Sequence, residues 1–308
     1  MQYQFNAYVI ETLTNTHVGS GDVQYGVVDN MIQRDQTTRI PVFHASSLKG
    51  ALKDHFRGLN GDGIDMKTMI DEIFGSEYEA ESDKKNGDQK PGKAIFCEAR
   101  LLTIPLRASM NVYYQCSSPM VLIDYLRTYM ELVDKGSDKD AMKSLIHHLE
   151  TKKIAGNFAL AGGRAPVGLE IEDYGYGNDG SVSQSLGLDS LQEFEKYVDV
   201  KAEQLVLFND TLFGELCENA VPVIARNKIG ADGISENLFY EELLPRRSRL
   251  YFMLGKGEIN DNELYENFCK ILTAHPVQFG ADYSIGHGLC HIRQLPVTEG
   301  GQNESPKN

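Results

Sequence analysis

The amino-acid sequence predicts an α+β protein built on a ferredoxin-like (RRM-like) sheet, the topology shared by RNA-recognition modules. Short strand and helix patterns follow one another as β, α, β, β, α, β, which is the order of that fold. Hydrophobic content of 41% and charged content of 24% over 308 residues describe a soluble globular chain long enough for a sizeable buried core. No apolar run reaches the roughly 18 residues that a membrane span needs. Residues 2–14 alternate as a first strand, with Phe5, Ala7, Val9 and Ile10 toward the core. The start lacks the basic and apolar regions of a signal peptide, so a cytoplasmic protein with no membrane partner is expected.

A glycine-broken loop over residues 17–26 begins at His17, and Asp29 lies just beyond it. Loops carry function more often than cores do, which makes the pair catalytic candidates. A turn aspartate and a surface histidine are the plainer alternative. Residues 31–57 are basic, with Arg34, Arg39, Lys49, Lys53 and Arg57 against Asp35 and Asp54, in a chain of net charge −14. Pro41 closes the preceding segment, Ser46 and Ser47 stand where a helix begins, and Leu48, Leu52 and Phe56 share one helical face. Serine hydroxyls and free N–H groups at a helix start form an anion site, and Lys49 and Lys53 lie one turn apart, spaced for successive phosphates. The same spacing also describes an ordinary serine-capped amphipathic helix.

The chain then turns acidic. A helix through MKTMIDEIF stops at Gly75, and residues 76–93 read as a mobile acidic surface loop. Strands are expected over 95–105 and 112–115. A helix over 119–133 follows, with Met120, Ile123, Leu126 and Met130 on one face. His147 and His148 share a short helix, where adjacency points them to different sides and makes a poor metal pair. Residues 162–187, rich in Gly, Asp and Ser, read as a projecting hairpin or as a disordered insertion. A strand, a helix capped at Asn209 and Asp210, and a strand ending near Arg226 come next. Glu241 and Glu242 sit among aromatic and aliphatic neighbours, Pro245 turns the chain, and Arg246, Arg247 and Arg249 follow. An amphipathic helix leads to a loop bracketed by Gly280, Gly286 and Gly288, glycines that permit close backbone approach to a ligand. A last strand and a disordered polar tail over 297–308 complete the chain.

Five cysteines without C-x-x-C spacing argue against a disulfide framework and a structural zinc site. A pI near 5.0 argues against nonspecific coating by nucleic acid, so any RNA contact is confined to a basic stripe.

The stretch GVVDNMIQRDQTTRIPVFHASSLKGALKDHFR resembles the signature of the RAMP superfamily of CRISPR proteins. IFG at 73–75, ARLLTIPLRAS at 99–109, SSP before Met120, VIARNKI, LFYEELLP and the terminal SIGHGL follow in the family's order, so the likeness spans nearly the whole chain. It is similar above all to the target-cutting backbone subunits of type III-B (Cmr) effectors, with their type III-A equivalents as an alternative. Departures are His44 and Ala45 in place of a proline and glycine, and Gly280 and Ala281 in place of a glycine pair. The resemblance implies a single domain over 1–308, a palm with a thumb hairpin at 162–187. It implies partners: CRISPR RNA, target RNA, further copies of the chain in a filament, and other Cmr complex subunits. It places the catalytic aspartate on Asp29, also the holder of a divalent metal ion (Mg or Mn), with His17, Glu241 and then Glu242 assisting. RNA-binding positions are Ser46, Ser47, Lys49, Lys53, Arg34, Arg57, Arg226, Gly286 and Gly288. A non-cleaving structural subunit and a stand-alone hydrolase using Asp29, Glu241 and Glu242 are the other readings.

Overall fold

In the computed structural model the first strand, β1 (Phe5–Thr12), is buried on both faces from Ala7 onward, where alternation predicted one buried face. The reason is that helices cover both sides of the sheet. The structure describes residues 4–21, 27–59, 64–76, 90–133, 139–154, 156–163, 166–175, 191–229, 233 and 235–296. After β1 come β2 (Val42–Phe43), α1 (Ala45–Arg57), α2 (Met66–Phe74), β3 (Ile95–Phe96), β4 (Ala99–Arg107) and β5 (Tyr113–Ser117). Next are α3 (Pro119–Leu132), α4 (Lys139–Thr151), β6 (Phe158–Leu160), β7 (Glu170–Ile171), β8 (Tyr174–Gly175) and α5 (Leu191–Val198). The chain continues through β9 (Leu205–Phe208), α6 (Asp210–Asn219), β10 (Val223–Ile229) and β11 (Ser235–Glu242). It ends with β12 (Arg249–Gly255), α7 (Asn262–Leu272), β13 (Val277–Gln278) and β14 (Leu289–Leu295).

One ten-stranded sheet runs β13-β14-β1-β12-β4-β5-β9-β6, with β2 and β3 paired to β4 and β12. Its pairings are antiparallel except for β5 with β9, so the sheet is mixed. Around β1 the order is β14, β1, β12, β4. Helix α1 lies in the chain between β1 and β4, and α7 between β12 and β14.

The periodicity of α1 is realised as read: Leu48, Leu52 and Phe56 are fully buried. They join Tyr8, Ile10 and Phe268 in one core, where the Phe56 and Phe268 rings lie 4.9 Å apart. A second core on the other face gathers Ala7, Val9, Tyr251 and Met253 of the sheet under α3, α4 and Tyr197. Burying each such large side chain contributes about 1.5–3 kcal/mol. Helix α3 is rotated from expectation: Leu126 is buried as read, Ile123 and Met130 pack partly buried at the core's edge, but Val121, Leu122, Tyr125 and Tyr129 turn inward and Met120 is exposed. Aromatic packing decides this: Tyr125 stands 4.7 Å from Tyr251 and bonds the Tyr197 carbonyl at 2.8 Å.

Helix α2 stops at Gly75 (φ 96) as its sequence predicts. The expected loop at 76–93 lies outside the described residues over 77–89. Its ends are pinned, Ser76 N–H donating to Lys90 O at 3.1 Å and Gly75 bridging to Pro91. Within the expected hairpin at 162–187, residues 164–165 and 176–187 lie outside the described residues. The part between them forms a short hairpin, as read, with Ile171 opposite Tyr174, and it lies back against the end of β4: Ile171 bridges to Ala108, and Ser109 N–H donates to Glu170 O at 2.9 Å. The tail over 297–308 also lies outside. A separate two-stranded ribbon is formed by β10 and β11, which pair Arg226 with Phe239 and Val223 with Glu242. The sequence marked the first of these strands, ending near Arg226, without pairing it with its partner. Among the described residues no helix is long and apolar enough to cross a membrane.

Candidate functional site

Three segments meet at the base of the β10–β11 ribbon. Thr16 bridges to Leu244, Asn30 bridges to Glu241, and Ala281 N–H donates to His17 O at 2.9 Å. The third segment needs glycine for a reason internal to the protein. A Cβ on Gly280 (φ 75) would stand 1.9 Å from His17 O, and one on Gly288 (φ 82) would stand 2.2 Å from Phe279 O. Gly288, predicted to approach RNA, is therefore packed against the protein's own backbone. Gly286 (φ 82) has open space around it.

Asp29 is exposed and held by the ribbon: its Oδ2 accepts Tyr240 N–H at 2.7 Å, and its own N–H donates to Tyr240 O at 3.1 Å. Its other oxygen has no partner among the described residues. His17 is buried with Nδ1 2.8 Å from Glu242 O and Nε2 3.7 Å from Glu241 Oε1. If Nδ1 carries the proton in that bond, Nε2 is the ring nitrogen left to exchange one. Glu241 accepts from Arg226 at 2.8 Å, and the same guanidinium nitrogen bonds Asp282. Burial raises the Asp282 carboxyl, but hydrogen bonds with Arg226 and Glu241 and the charge of Arg226 together outweigh it and hold the group below its ordinary value. Bonds to Asp282 and Glu241 raise Arg226 in turn.

The sequence thus placed His17, Asp29, Glu241 and Arg226 in what the fold makes one cluster. It missed four neighbours: Tyr240, Asp282, His287 and Gln33. Asp282 and His287 lie beside or within the SIGHGL stretch, the one signal that pointed near them. Gln33, which lies within the signature stretch but was not singled out, is buried and clamps the neighbouring segments. Its amide donates to Gly19 O at 3.1 Å and Ser47 Oγ at 2.8 Å, and accepts His44 N–H at 2.7 Å.

The start of α1 differs from expectation in one respect. His44, whose side chain makes no capping bond, occupies the cap, so Ser46 and Ser47 lie within the first turn. Between this turn and the His17 segment is a pocket of about 250 Å³ lined by Gly19, Gln33, Phe43, Ser47, Phe279 and Gly280. Ser46 is exposed and Lys49 partly so. Lys53 donates to Gly75 O at 2.8 Å, and Arg57 lies 3.5 Å from Asp54, so both have internal partners. Arg34 is a correction. It is buried, donates to Glu242 at 2.6 Å and Cys217 O at 2.8 Å, and serves the core rather than a surface.

A divalent ion can be matched to these donors. Magnesium keeps its waters and binds through one or two carboxylates plus substrate phosphates. The Asp29 oxygen without a partner among the described residues fits that habit. The three-ligand group found among the described residues is Glu241, Asp282 and His287, whose ligand atoms lie within 4.8 Å of one another. Arg226 already bonds both of its carboxylates, so it is not a ready cage.

With known proteins, the sequence profile of the RAMP superfamily matches residues 9–291. The chain is 26% identical over 306 residues to the CRISPR system Cmr endoribonuclease Cmr4 of Pyrococcus furiosus, covering 94% of this chain and 95% of that one. A chain of a type III-B Cmr-beta complex bound to cognate target RNA has the same fold, with TM-score 0.75, 20% identity, and coverage of 96% and 98%. Oligomeric Cmr4 from Pyrococcus furiosus superimposes with TM-score 0.64 at 19% identity, covering 96% and 99%.

Proposed function

The chain belongs to the RAMP superfamily, and from that premise we propose that it is a type III-B effector backbone subunit that binds CRISPR RNA and cuts complementary target RNA. The β14, β1, β12, β4 order with α1 and α7 as crossovers supports a ferredoxin-like palm. Copies stack along the guide, each gripping phosphates from the start of α1 with Ser46, Ser47 and Lys49. The acidic net charge is compatible with this, because each protomer makes only a few phosphate contacts. The exposed β10–β11 ribbon, with Ile229 and Leu238 bare, has the form of a thumb better than the folded-back 166–175 segment does. Apolar side chains of this kind wedge between bases and kink the strand.

The observation that carries the reading is the meeting of Asp29, His17 and Glu241 at the ribbon's base. A kinked phosphodiester is attacked in line by its own 2′-hydroxyl, which gives up its proton as the bond from phosphorus to the 5′-oxygen breaks. A 2′,3′-cyclic phosphate forms, and the departing 5′-oxygen takes up a proton. Asp29, exposed and positioned by Tyr240, takes the hydroxyl proton or orients the reacting group. His17 Nε2 exchanges a proton beside the Glu241 carboxylate, and Arg226 balances charge there. A bound Mg or Mn ion, held through Asp29, would polarise the phosphoryl oxygens.

The test is a complex assembled with guide RNA, given end-labelled complementary RNA and magnesium or manganese. Wild type should yield regularly spaced cuts. Asp29→Ala should lower cleavage by about 10²- to 10⁴-fold while target binding persists. Binding without cutting by wild type would leave a structural subunit, and cutting of small substrates by the isolated chain would favour a stand-alone hydrolase.

A further inference from the structure

Beyond Pro245 the chain reads Arg246, Arg247, Ser248, Arg249, a basic run that the Asp29 cluster does not use. It lies where β12 begins, and two departures from regular backbone fall within it. Arg247 occupies the left-handed region at φ 74, and the β12–β4 register shifts between Arg249 and Leu250. A non-glycine residue stays in that region only where its surroundings hold it, and a bulge re-aims side chains. The holding groups are visible. Gln115 Nε2 donates to Arg247 O at 3.0 Å, Arg247 N–H donates to Thr12 O at 2.6 Å, and Arg246 N–H donates to Asn15 Oδ1 at 3.0 Å.

The side chains carry surplus positive charge. Buried Glu11 accepts from Arg247 at 2.7 Å and Arg293 at 2.6 Å. Asp199 pairs with Arg249 at 3.4 Å and with Arg293. These two carboxylates face three guanidinium groups. Arg246 adds a fourth cation beside them, with no side-chain ion pair to any described residue. Two carboxylates would suffice for two arginines, and the surplus lies outward: Arg246 and Arg247 are exposed, whereas Arg249 and Arg293 are partly buried. Tyr113, 42% exposed, stands on the same face of β5 as the Gln115 that holds Arg247.

We propose that Arg246 and Arg247, backed by Arg249 and Arg293 and flanked by Tyr113, form a second phosphate-binding patch for single-stranded RNA. This rests on the RNA-directed reading above and adds a contact surface separate from the start of α1. Guanidinium forks match phosphate oxygens, and an exposed aromatic ring stacks a base of any identity. The patch adjoins the reaction cluster, since Arg246 is bonded to Asn15 and His17 follows two residues later. RNA whose reacting phosphate lies at Asp29 can continue across it. An acidic protein segment would satisfy the arginines but would leave the ring without a role.

The experiment measures binding of fluorescent oligouridine to the full-length chain across a salt series. Wild type is compared with Arg246→Gln/Arg247→Gln, Arg246→Lys/Arg247→Lys and Tyr113→Ala. Removing two phosphate contacts should reduce the slope of log K against log salt by about 1.4, and weaken binding on the order of tenfold at 0.1 M salt. The lysine pair should restore the slope, and Tyr113→Ala should weaken binding with the slope kept. An unchanged slope in the folded glutamine pair overturns the patch, as does absence of binding by wild type. A change in self-association at constant slope also overturns it, by making the surface a protein contact. Target cleavage in the guide-loaded complex is scored separately. A slope loss without cleavage by any variant keeps the patch and removes the nuclease reading, whereas cleavage with an unchanged slope removes the patch alone.

Discussion

At the end of β11 two adjacent glutamates, each 3% exposed, face opposite environments. Glu242 points into the core side. One of its oxygens meets Arg34 at 2.6 Å and the other accepts Ile32 N–H at 3.0 Å, while its carbonyl orients His17. Glu241 points toward the ribbon's base, where it shares Arg226 with Asp282 and faces His17 at 3.7 Å. Equal burial therefore conceals unequal commitment. Glu242 has a dedicated cation buried with it, and serves to fix the segment that carries Asp29. Glu241 holds a cation that is itself shared and 24% exposed, so under the proposed function its partners can exchange when a phosphate arrives.

The largest expected effect tests the structural half of this contrast. Glu242→Ala leaves Arg34 buried without its counter-charge, and should cost about 3–5 kcal/mol in urea unfolding. A loss below about 1 kcal/mol would erase the difference between the two sites. Glu11 offers a third buried carboxylate with which to sharpen it. Burial raises its pKa, but the charge of Arg249 and hydrogen bonds from Arg247 and Arg293 outweigh that and bring it to about 2, from 4.5. A carboxyl lowered in the folded state stabilises fully above its unfolded pKa, and loses that contribution as pH falls through the folded value. Glu11→Gln should therefore cost about 3 kcal/mol near neutrality, a deficit that shrinks between pH 5 and pH 2 when stability is followed across that range. A constant deficit would mean that the carboxylate charge is not what matters there.

The smallest effect on stability belongs to Glu241. Glu241→Gln keeps an acceptor for Arg226 and should change unfolding by less than about 1 kcal/mol, yet lower target cleavage on the order of 10²-fold in single-turnover assays. Equal losses of stability and cleavage would return Glu241 to the same class as Glu242.

Much of the fold was legible because its signals are local. The spacing of Leu48, Leu52 and Phe56, the stop at Gly75 and the Asn209 cap each act within two or three turns of chain, so composition and periodicity reveal them. The proposed reaction cluster was legible by a different route. Asp29, His17 and Glu241 were located by ordered motifs, and the fold then brought their segments together. Periodicity misjudged α3, because Tyr125 and Tyr129 pack inward against Tyr251 and Tyr197 across the second core.

By itself, then, the sequence determined most helices, most strands and the positions of Asp29, His17 and Glu241. Only the tertiary structure decided which cation serves which acid. Arg34 and Arg226 both read as basic residues available to RNA, yet one is buried against Glu242, 208 residues away in the chain, and the other lies between Glu241 and Asp282. The pairing of β10 with β11 and the glycines pressed on His17 O and Phe279 O were settled in the same way. Capping and periodicity act over a few residues, whereas ion-pair partners and close backbone contacts depend on sheet register, which no short stretch of sequence contains.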